Sequence, residues 1–445
     1  MELHEKNLLW FEDNKENLQG NIHRSHGREH TRLLFFQFNE ENLQQTIDLL
    51  SGSLKKLITS ADKQGMQSRE WRSEGTKSNF MGFYLTPLGY EYLGKPFPVP
   101  CTDQTVGFDE PIHCMLLLAH DNKKELDNRE KNYRDLFTDK AGASLIARKA
   151  GSSIRTNGRK SNYPIDHFGF ADGISNPDFF KGKTDANYDL QSDIENYFVE
   201  EHTGSKTYGS CLVFMDLEQD VNKFEETENQ LKTALTASGY GDLAELAAAH
   251  IIGRDRNGVP LADMTKKEET EWNDFTYGGS EGWKCPFAAH IRKMNDRLHG
   301  ANRDISILRR GITYGKRGNV KYSEQGQTEV NPNVGLYFMS FQKSFDVFEA
   351  QLQKTNDSPE NPGIDPLIGY MMNQRQPRPH FKYIFPTANE HIKQKGISKG
   401  SMPSDKGFLE IEAPAGFVSL KSRLDLFAPS LKFFENLQNI DTAPV

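Results

Sequence analysis

The sequence predicts an α+β fold built from two related halves, and three observations carry that prediction. Six short runs rich in aromatic and branched residues have the character of buried strands. Longer stretches with apolar residues at helical spacing lie between them. A strand followed by a long helix occurs at 33–57 and again at 210–235. Short strands joined through helices and long connections favour layers of antiparallel sheet with helices on one face.

The strand runs are Leu33–Phe38, Phe80–Leu85, Ile112–Ala119, Ser210–Met215, Ile305–Leu308 and Gly335–Phe341, each bounded by turn formers or charges. Among the helical stretches, Glu41–Leu57 places Leu43, Ile47, Leu50, Leu54 and Leu57 on one face. Phe224–Leu235, Asp242–Ile252 and Phe345–Leu352 show similar spacing. A chain of 445 residues exceeds what one core comfortably serves, so two domains or one large bilobal unit are expected. The polar stretch Lys181–Lys206 marks the break, giving an N-terminal arm over 1–30, a first domain over 31–205 and a second over 206–445. The segments Glu324–Asn333 and Lys393–Lys406 are expected to be exposed loops.

Composition narrows the function classes. Hydrophobic residues at 36% and charged residues at 26% suit a globular chain. A net charge of −8 argues against nucleic acid or an anionic membrane as the main partner. The run Cys114–Ala119 is too short to cross a bilayer, which takes about 20 residues. The first residues carry acids among few apolar positions and lack a basic n-region, so no secretory signal is expected. Cys101, Cys114, Cys211 and Cys285 are scattered without CxxC or CxxCH spacing. That excludes a c-type haem attachment and a tetrathiolate site, and points to reduced thiols in the cytoplasm.

Three segments carry the chemistry. In DHFGFADGISNPD (166–178), Asp172 sits between aromatics and glycines; Gly169 and Gly173 permit backbone conformations closed to other residues. An isolated Asp-Gly pair usually serves a turn or a cap, but its aromatic setting suits a carboxylate tuned for proton transfer. In KCPFAAHIRKMNDR (284–297), His290 follows an apolar stretch and precedes Arg292, Lys293 and Arg297. Such cations are commonly a solvated helix face, and are equally suited to pairing with the two propionates of a haem. In ISILRRGITYG (305–315), a strand ends in Arg309 and Arg310, and a strand entering a pocket would carry one of them in.

Together these segments resemble the dye-decolourising peroxidases, the DyP-type haem peroxidases. GFADG at 169–173 matches the GxxDG motif of that family. CPFAAHIRKMNDR at 285–297 resembles its proximal-histidine segment, and ILRRGITYG at 307–315 its distal-arginine strand. LQGNIHRSHG, YGSCLVFMDLEQDV, GLYFMSF, GIDPLIG and LFAPS extend the likeness over roughly Leu18–Leu437, with the motifs in the family's order. Departures are Ala288 for glycine, Asp296 and Thr313 for prolines, and KSRLDLFAPS without a double glycine. None removes a reacting group.

The resemblance implies two ferredoxin-like halves, each an antiparallel sheet with helices, with haem held mainly by the C-terminal half. It implies one non-covalent haem b per chain, hydrogen peroxide and a small or bulky organic reductant as substrates, and room for homo-oligomers. It assigns His290 as the iron ligand, and Asp172 and Arg309 as acid/base and cation at the other face, with Arg310 the second choice. Asp365 takes the place of the carboxylate behind the proximal ring, ahead of Asp346. His167 and Arg297 fall where haem propionates are contacted, and Leu336 and Phe338 where the distal pocket is lined. The function so implied is reduction of peroxide with one-electron oxidation of organic donors; the alternative is a haem storage, delivery or iron-release protein.

Overall fold

A computed structural model describes residues 2–74, 79–102, 104–155, 163–177, 179–180, 192–277, 285–295, 297, 306–316, 333–358, 363–369, 380–386 and 408–439. Twelve strands are described: β1 His30–Gln37, β2 Phe80–Leu85, β3 Cys114–His120, β4 Ser144–Ser152, β5 Val199–Glu200, β6 Tyr208–Gln219, β7 Leu308–Arg309, β8 Ile312–Tyr314, β9 Gly335–Gln342, β10 His380–Pro386, β11 Phe408–Pro414 and β12 Val418–Ala428. Ten form one sheet in the order β4-β1-β3-β2-β12-β6-β9-β7, with β5 on β6 and β8 on β9; β10 and β11 form a separate pair. Every pairing is antiparallel.

Chain order resolves the large sheet into two ferredoxin-like halves. In the first, β1, the helical segment 43–54, β2, β3, the helix Lys123–Ala141 and β4 give the spatial order 4-1-3-2. In the second, β6, the helix Val221–Ala237, the short strands β7 and β8, β9, the helix Phe345–Gln353 and β12 repeat that order. The halves meet where Leu85 of β2 pairs with Phe427 of β12. The strand–helix repeat visible in the sequence is therefore a fold repeat.

Both faces of the central strands are covered, so β2 and β3 read as near-continuous apolar runs rather than alternating ones, whereas edge strand β4 is mixed in polarity and only partly buried. Along β1, Leu34 and Phe36 enter the core under the helices, where Phe36 stacks on Phe137 at 4.5 Å. Leu33 and Phe35 enter the opposite core, where Phe35 meets Phe214 at 5.2 Å. Burying each such side chain stabilises the fold by ~1.5–3 kcal/mol.

The predicted elements recur with three differences. The stretch predicted as one helix over 41–57 is a 3-10 turn, an α-helix Leu43–Asp48 and a π-helical segment Leu49–Leu54. Ser51-Gly52-Ser53 are weak helix formers, and the Ser51 hydroxyl donates back to the Ile47 carbonyl at 2.7 Å. The stretch 242–252 is two short helices, Gly241–Ala244 and Ala247–Ile252. Of the run Ile305–Leu308, only Leu308 belongs to a strand and Ile305 lies outside the described residues. The expected loop 393–406 also lies outside them, as do 324–332 of the loop 324–333 and much of 181–206. No described helix is long and apolar enough to cross a membrane. All four cysteines are free.

Candidate active site

A cavity of about 380 Å3 lies against the second half's sheet and receives loops from both halves. Its wall includes Asp172, His290, Arg297, Arg309, Leu336 and Phe338, six of the eight residues singled out in the sequence. The other two, Asp365 and His167, sit behind the wall.

His290 is the first residue of the short helix His290–Met294. Its ring Nδ1 lies 2.8 Å from Asp365 Oδ2 and donates to it, which leaves Nε2 as the ring nitrogen able to act as an acceptor or ligand. The Asp365 side chain is fully buried. Its other oxygen accepts the amides of Leu367 at 2.8 Å and Ile368 at 3.3 Å, so the carboxylate is held by its own turn as well as by the ring. Asp346, the second choice, is exposed at the start of the helix Phe345–Gln353. Arg292 and Lys293 do not line the cavity: Arg292 donates to the Cys285 carbonyl at 2.6 Å and lies over Phe287, while Lys293 donates to the Asn356 carbonyl at 2.8 Å.

Asp172 closes a small loop whose turn is built by another acid. Asp166 Oδ1 accepts the Phe170 amide at 2.8 Å, Gly169 takes φ +90°, and Asp172 N donates to the Pro164 carbonyl at 2.9 Å. At Gly173 an added Cβ would meet open space, so its φ of +89° alone explains the glycine. Asp172 Oδ1 accepts the Gly173 amide at 2.7 Å and lies 3.6 Å from Arg309 Nη1. Both side chains remain about one-third exposed.

The two adjacent arginines part company at the end of β7. Arg309 projects into the cavity, whereas Arg310 is buried and donates to the carbonyls of Asn21 at 2.9 Å and Ile22 at 2.6 Å. Burial, with Arg309 adjacent, pushes Arg310 down to about 9. Asn176, which the sequence reading did not single out, ties the acid loop to this strand. Its side-chain oxygen accepts the Arg309 amide at 2.9 Å and its amide donates to the Gly173 carbonyl at 3.3 Å. The only hint in the sequence was an Asn-Pro pair, which usually marks a turn.

Arg254 was also missed. It follows Gly253, whose φ of +98° ends the preceding helix, and so resembles any arginine after a helix C-terminus. Its side chain is buried at the cavity wall, donating to the Gly258 and Trp272 carbonyls, Ser175 and Asn273 at 2.6–2.8 Å. Among the described residues no carboxylate pairs with it. Burial and the neighbouring Arg297 pull Arg254 down to about 9. Arg297, in the left-handed region at φ +54°, places its guanidinium 3.7 Å from the Phe275 ring centre. His167 is completely buried and its Nε2 lies 2.7 Å from the Tyr314 carbonyl.

The arrangement fits a haem. A histidine with one free ring nitrogen faces a largely apolar cavity, and a carboxylate fixes its other nitrogen. Arg254 and Arg297 bring two guanidiniums to the same wall, which suits a dianionic ligand. Among the described residues no cluster of histidines, cysteines and acids could hold a bare metal ion.

Residues 163–374 match the family model described as Dyp-type peroxidase, C-terminal, an interval that contains Asp172, His290, Arg309 and Asp365. The chain belongs to the DyP-type peroxidase family. Among its relatives is the multifunctional dye peroxidase DyP2 of an Amycolatopsis species, 28% identical over 403 residues, spanning 79% of this chain and 84% of that protein. The solved structure of the DyP-type peroxidase of an Anabaena species has a TM-score of 0.77 at 27% identity, covering 97% and 96% of the two chains. The structure of the Amycolatopsis enzyme also gives 0.77, at 25% identity and covering 95% and 96%. The family is one of haem-dependent peroxidases, so the chain is a peroxidase and an oxidoreductase. The second ferredoxin-like half carries most of the cavity wall.

Proposed function

We propose that this chain reduces hydrogen peroxide to water with His290 on the iron of one non-covalent haem b, and oxidises bulky organic donors such as dyes and phenols in single-electron steps. The observation that carries the reading is the shared cavity, with the His290–Asp365 pair and the Asp172–Arg309 pair on its walls. Bound there, the haem supplies an iron that accepts two oxidising equivalents from peroxide and hands them on singly.

The chain's own residues have separate tasks. His290 Nε2 holds the iron, and Asp365, accepting from Nδ1–H, fixes the ring and enriches it in electrons. Asp172 takes the proton from the near oxygen of peroxide and returns it to the far one, which leaves as water. Arg309 offsets the negative charge that grows on the departing oxygen, a task its fixed charge suits. Arg254 and Arg297 receive the propionates; His167, expected beside Arg297 as a propionate contact, is absent from the cavity wall, and its Nε2 instead lies against the Tyr314 carbonyl at the end of the strand Ile312–Tyr314. Leu336 and Phe338 keep the reacting side apolar. A carrier that stores or delivers haem has no use for both Asp172 and Arg309, so their pairing favours the enzyme.

The domain division is proposed as an arm over 1–30, a first half over 31–205 and a second over 206–445; the free cysteines support a cytoplasmic setting. The test is turnover by the haem-loaded chain of a bulky anthraquinone dye with peroxide. Peroxide-dependent bleaching that disappears in Arg309→Leu supports the proposal. Tight haem binding with no dye or phenol oxidation would instead favour the carrier.

A further inference from the structure

The helix Lys123–Ala141 presents Lys123, Asp127, Glu130, Lys131 and Arg134 at spacings of four, three, one and three, which sets them along one face. That face does not close onto the sheet at its outer edge. Together with Arg32 of β1, Arg148, Ala150 and Ser152 of β4, and Gly315 and Lys316 after β8, it encloses a second cavity of about 700 Å3. The haem cavity shares none of these residues.

The charges in this cavity are unbalanced. Six cationic side chains line it against two carboxylates, in a chain whose net charge is −8. The two carboxylates are already engaged at its floor. Glu130, buried, accepts Arg32 Nε at 3.0 Å and Arg148 Nη2 at 2.8 Å, and Asp127 pairs with Arg32. Arg32 is itself buried, so this floor is fixed rather than a set of waving surface chains. Outside the wall, Asp135 takes one further charge through Lys131 at 2.8 Å and lies 3.8 Å from Arg134. Lys123 and Lys316 have no carboxylate partner among the described residues. Mutual repulsion of such cations costs free energy unless an anion sits among them.

We propose that this cavity binds a compact polyanion, a small molecule carrying two or three carboxylate or phosphate groups. None of its lining residues is aromatic and only Ala150 is aliphatic, so the site selects for charge and small size rather than for a large apolar dye. Exposed Lys123 of the helix and Lys316 after β8 offer ammonium groups and Arg134 a planar fork, while Arg148, whose Nε and Nη2 are held by Glu130, keeps only its other amino group for a ligand.

Isothermal titration of the full-length haem-loaded protein with citrate, with inorganic pyrophosphate and with uncharged glycerol tests this. The expected result is one site per chain for at least one of the anions, none for glycerol, and an affinity that falls as salt is raised. Tighter binding of pyrophosphate would identify a phosphate ligand, and tighter binding of citrate a polycarboxylate. The double variant Lys123→Gln/Lys316→Gln changes only exposed side chains; it should weaken binding by roughly tenfold or more while haem content stays unchanged. Absence of binding by both anions at low ionic strength, or equal binding by the double variant, overturns the proposal.

Discussion

Nδ1 of His290 lies 2.8 Å from Oδ2 of Asp365, a carboxylate with no exposure to solvent. The pair sets which nitrogen of His290 faces the cavity and how electron-rich the ring is. Asp365→Asn keeps the acceptor oxygen that binds the Leu367 and Ile368 amides, so the turn should survive. The iron's reduction potential should rise, because the ring loses an anionic partner. Spectroelectrochemical titration of wild type and variant checks this, and equal midpoints would remove Asp365 from its assigned role.

His290→Ala removes the only described ring nitrogen directed at the cavity beside a buried carboxylate. The variant should purify with little haem and a weak Soret band, while its far-ultraviolet circular dichroism matches wild type. Haem content by pyridine extraction decides the matter; wild-type content would mean that another residue holds the iron.

Arg254 carries a buried positive charge held by four neutral acceptors. A dianionic ligand at this wall relieves that charge, so Arg254→Gln should release haem faster. Transfer of haem to an excess of apomyoglobin gives the rate, with a rise of about tenfold expected from the loss of one charge-assisted pair. An unchanged rate would show that the propionates do not reach Arg254.

The Nδ1 of His23 is buried without a partner among the described residues, its ring 4.6 Å from that of Phe11. Burial, with Arg24 and Arg310 adding, pushes His23 from 6.5 down to about 3. The unfolded chain therefore binds this proton and the folded chain does not between those values. Stability is complete above pH 6.5 and falls as pH drops toward 3, by at most about 1.4 kcal/mol per pH unit. Denaturant unfolding at pH 6.5 and pH 5 should show roughly 2 kcal/mol more loss in wild type than in His23→Phe. Parallel losses in the two proteins would contradict the assignment.

The catalytic candidates were legible because each pairs an unusual residue with an unusual setting: an acid among aromatics and glycines, a histidine after an apolar stretch, arginines ending an apolar strand. Which arginine enters the cavity is a different matter. Neighbours on a strand point to opposite faces, and no pattern within ILRRG says which face is the pocket; the family resemblance supplied Arg309. β12 escaped because Arg423 and Asp425 break its apolar run, yet both are buried and pair at 3.0 Å. Charge normally signals exposure, and here it signals a paired interior. The helix Lys123–Ala141 escaped for the opposite reason, since its buried stripe is only Leu126, Glu130, Phe137 and Ala141. Arg254 and Asn176 act through hydrogen bonds to residues distant in sequence, which no local pattern reports.

The central claim is that Arg309, 3.6 Å from Asp172, promotes cleavage of peroxide in the cavity that His290 enters. The most direct measurement is stopped-flow absorbance of the Soret band after mixing haem-loaded protein with one equivalent of hydrogen peroxide, in wild type and Arg309→Leu at equal haem content. Loss of one such charge-stabilising donor should slow the second-order rate by roughly 10²–10³. A rate in Arg309→Leu within a factor of about two of wild type, too small for the loss of such a donor, would contradict the account.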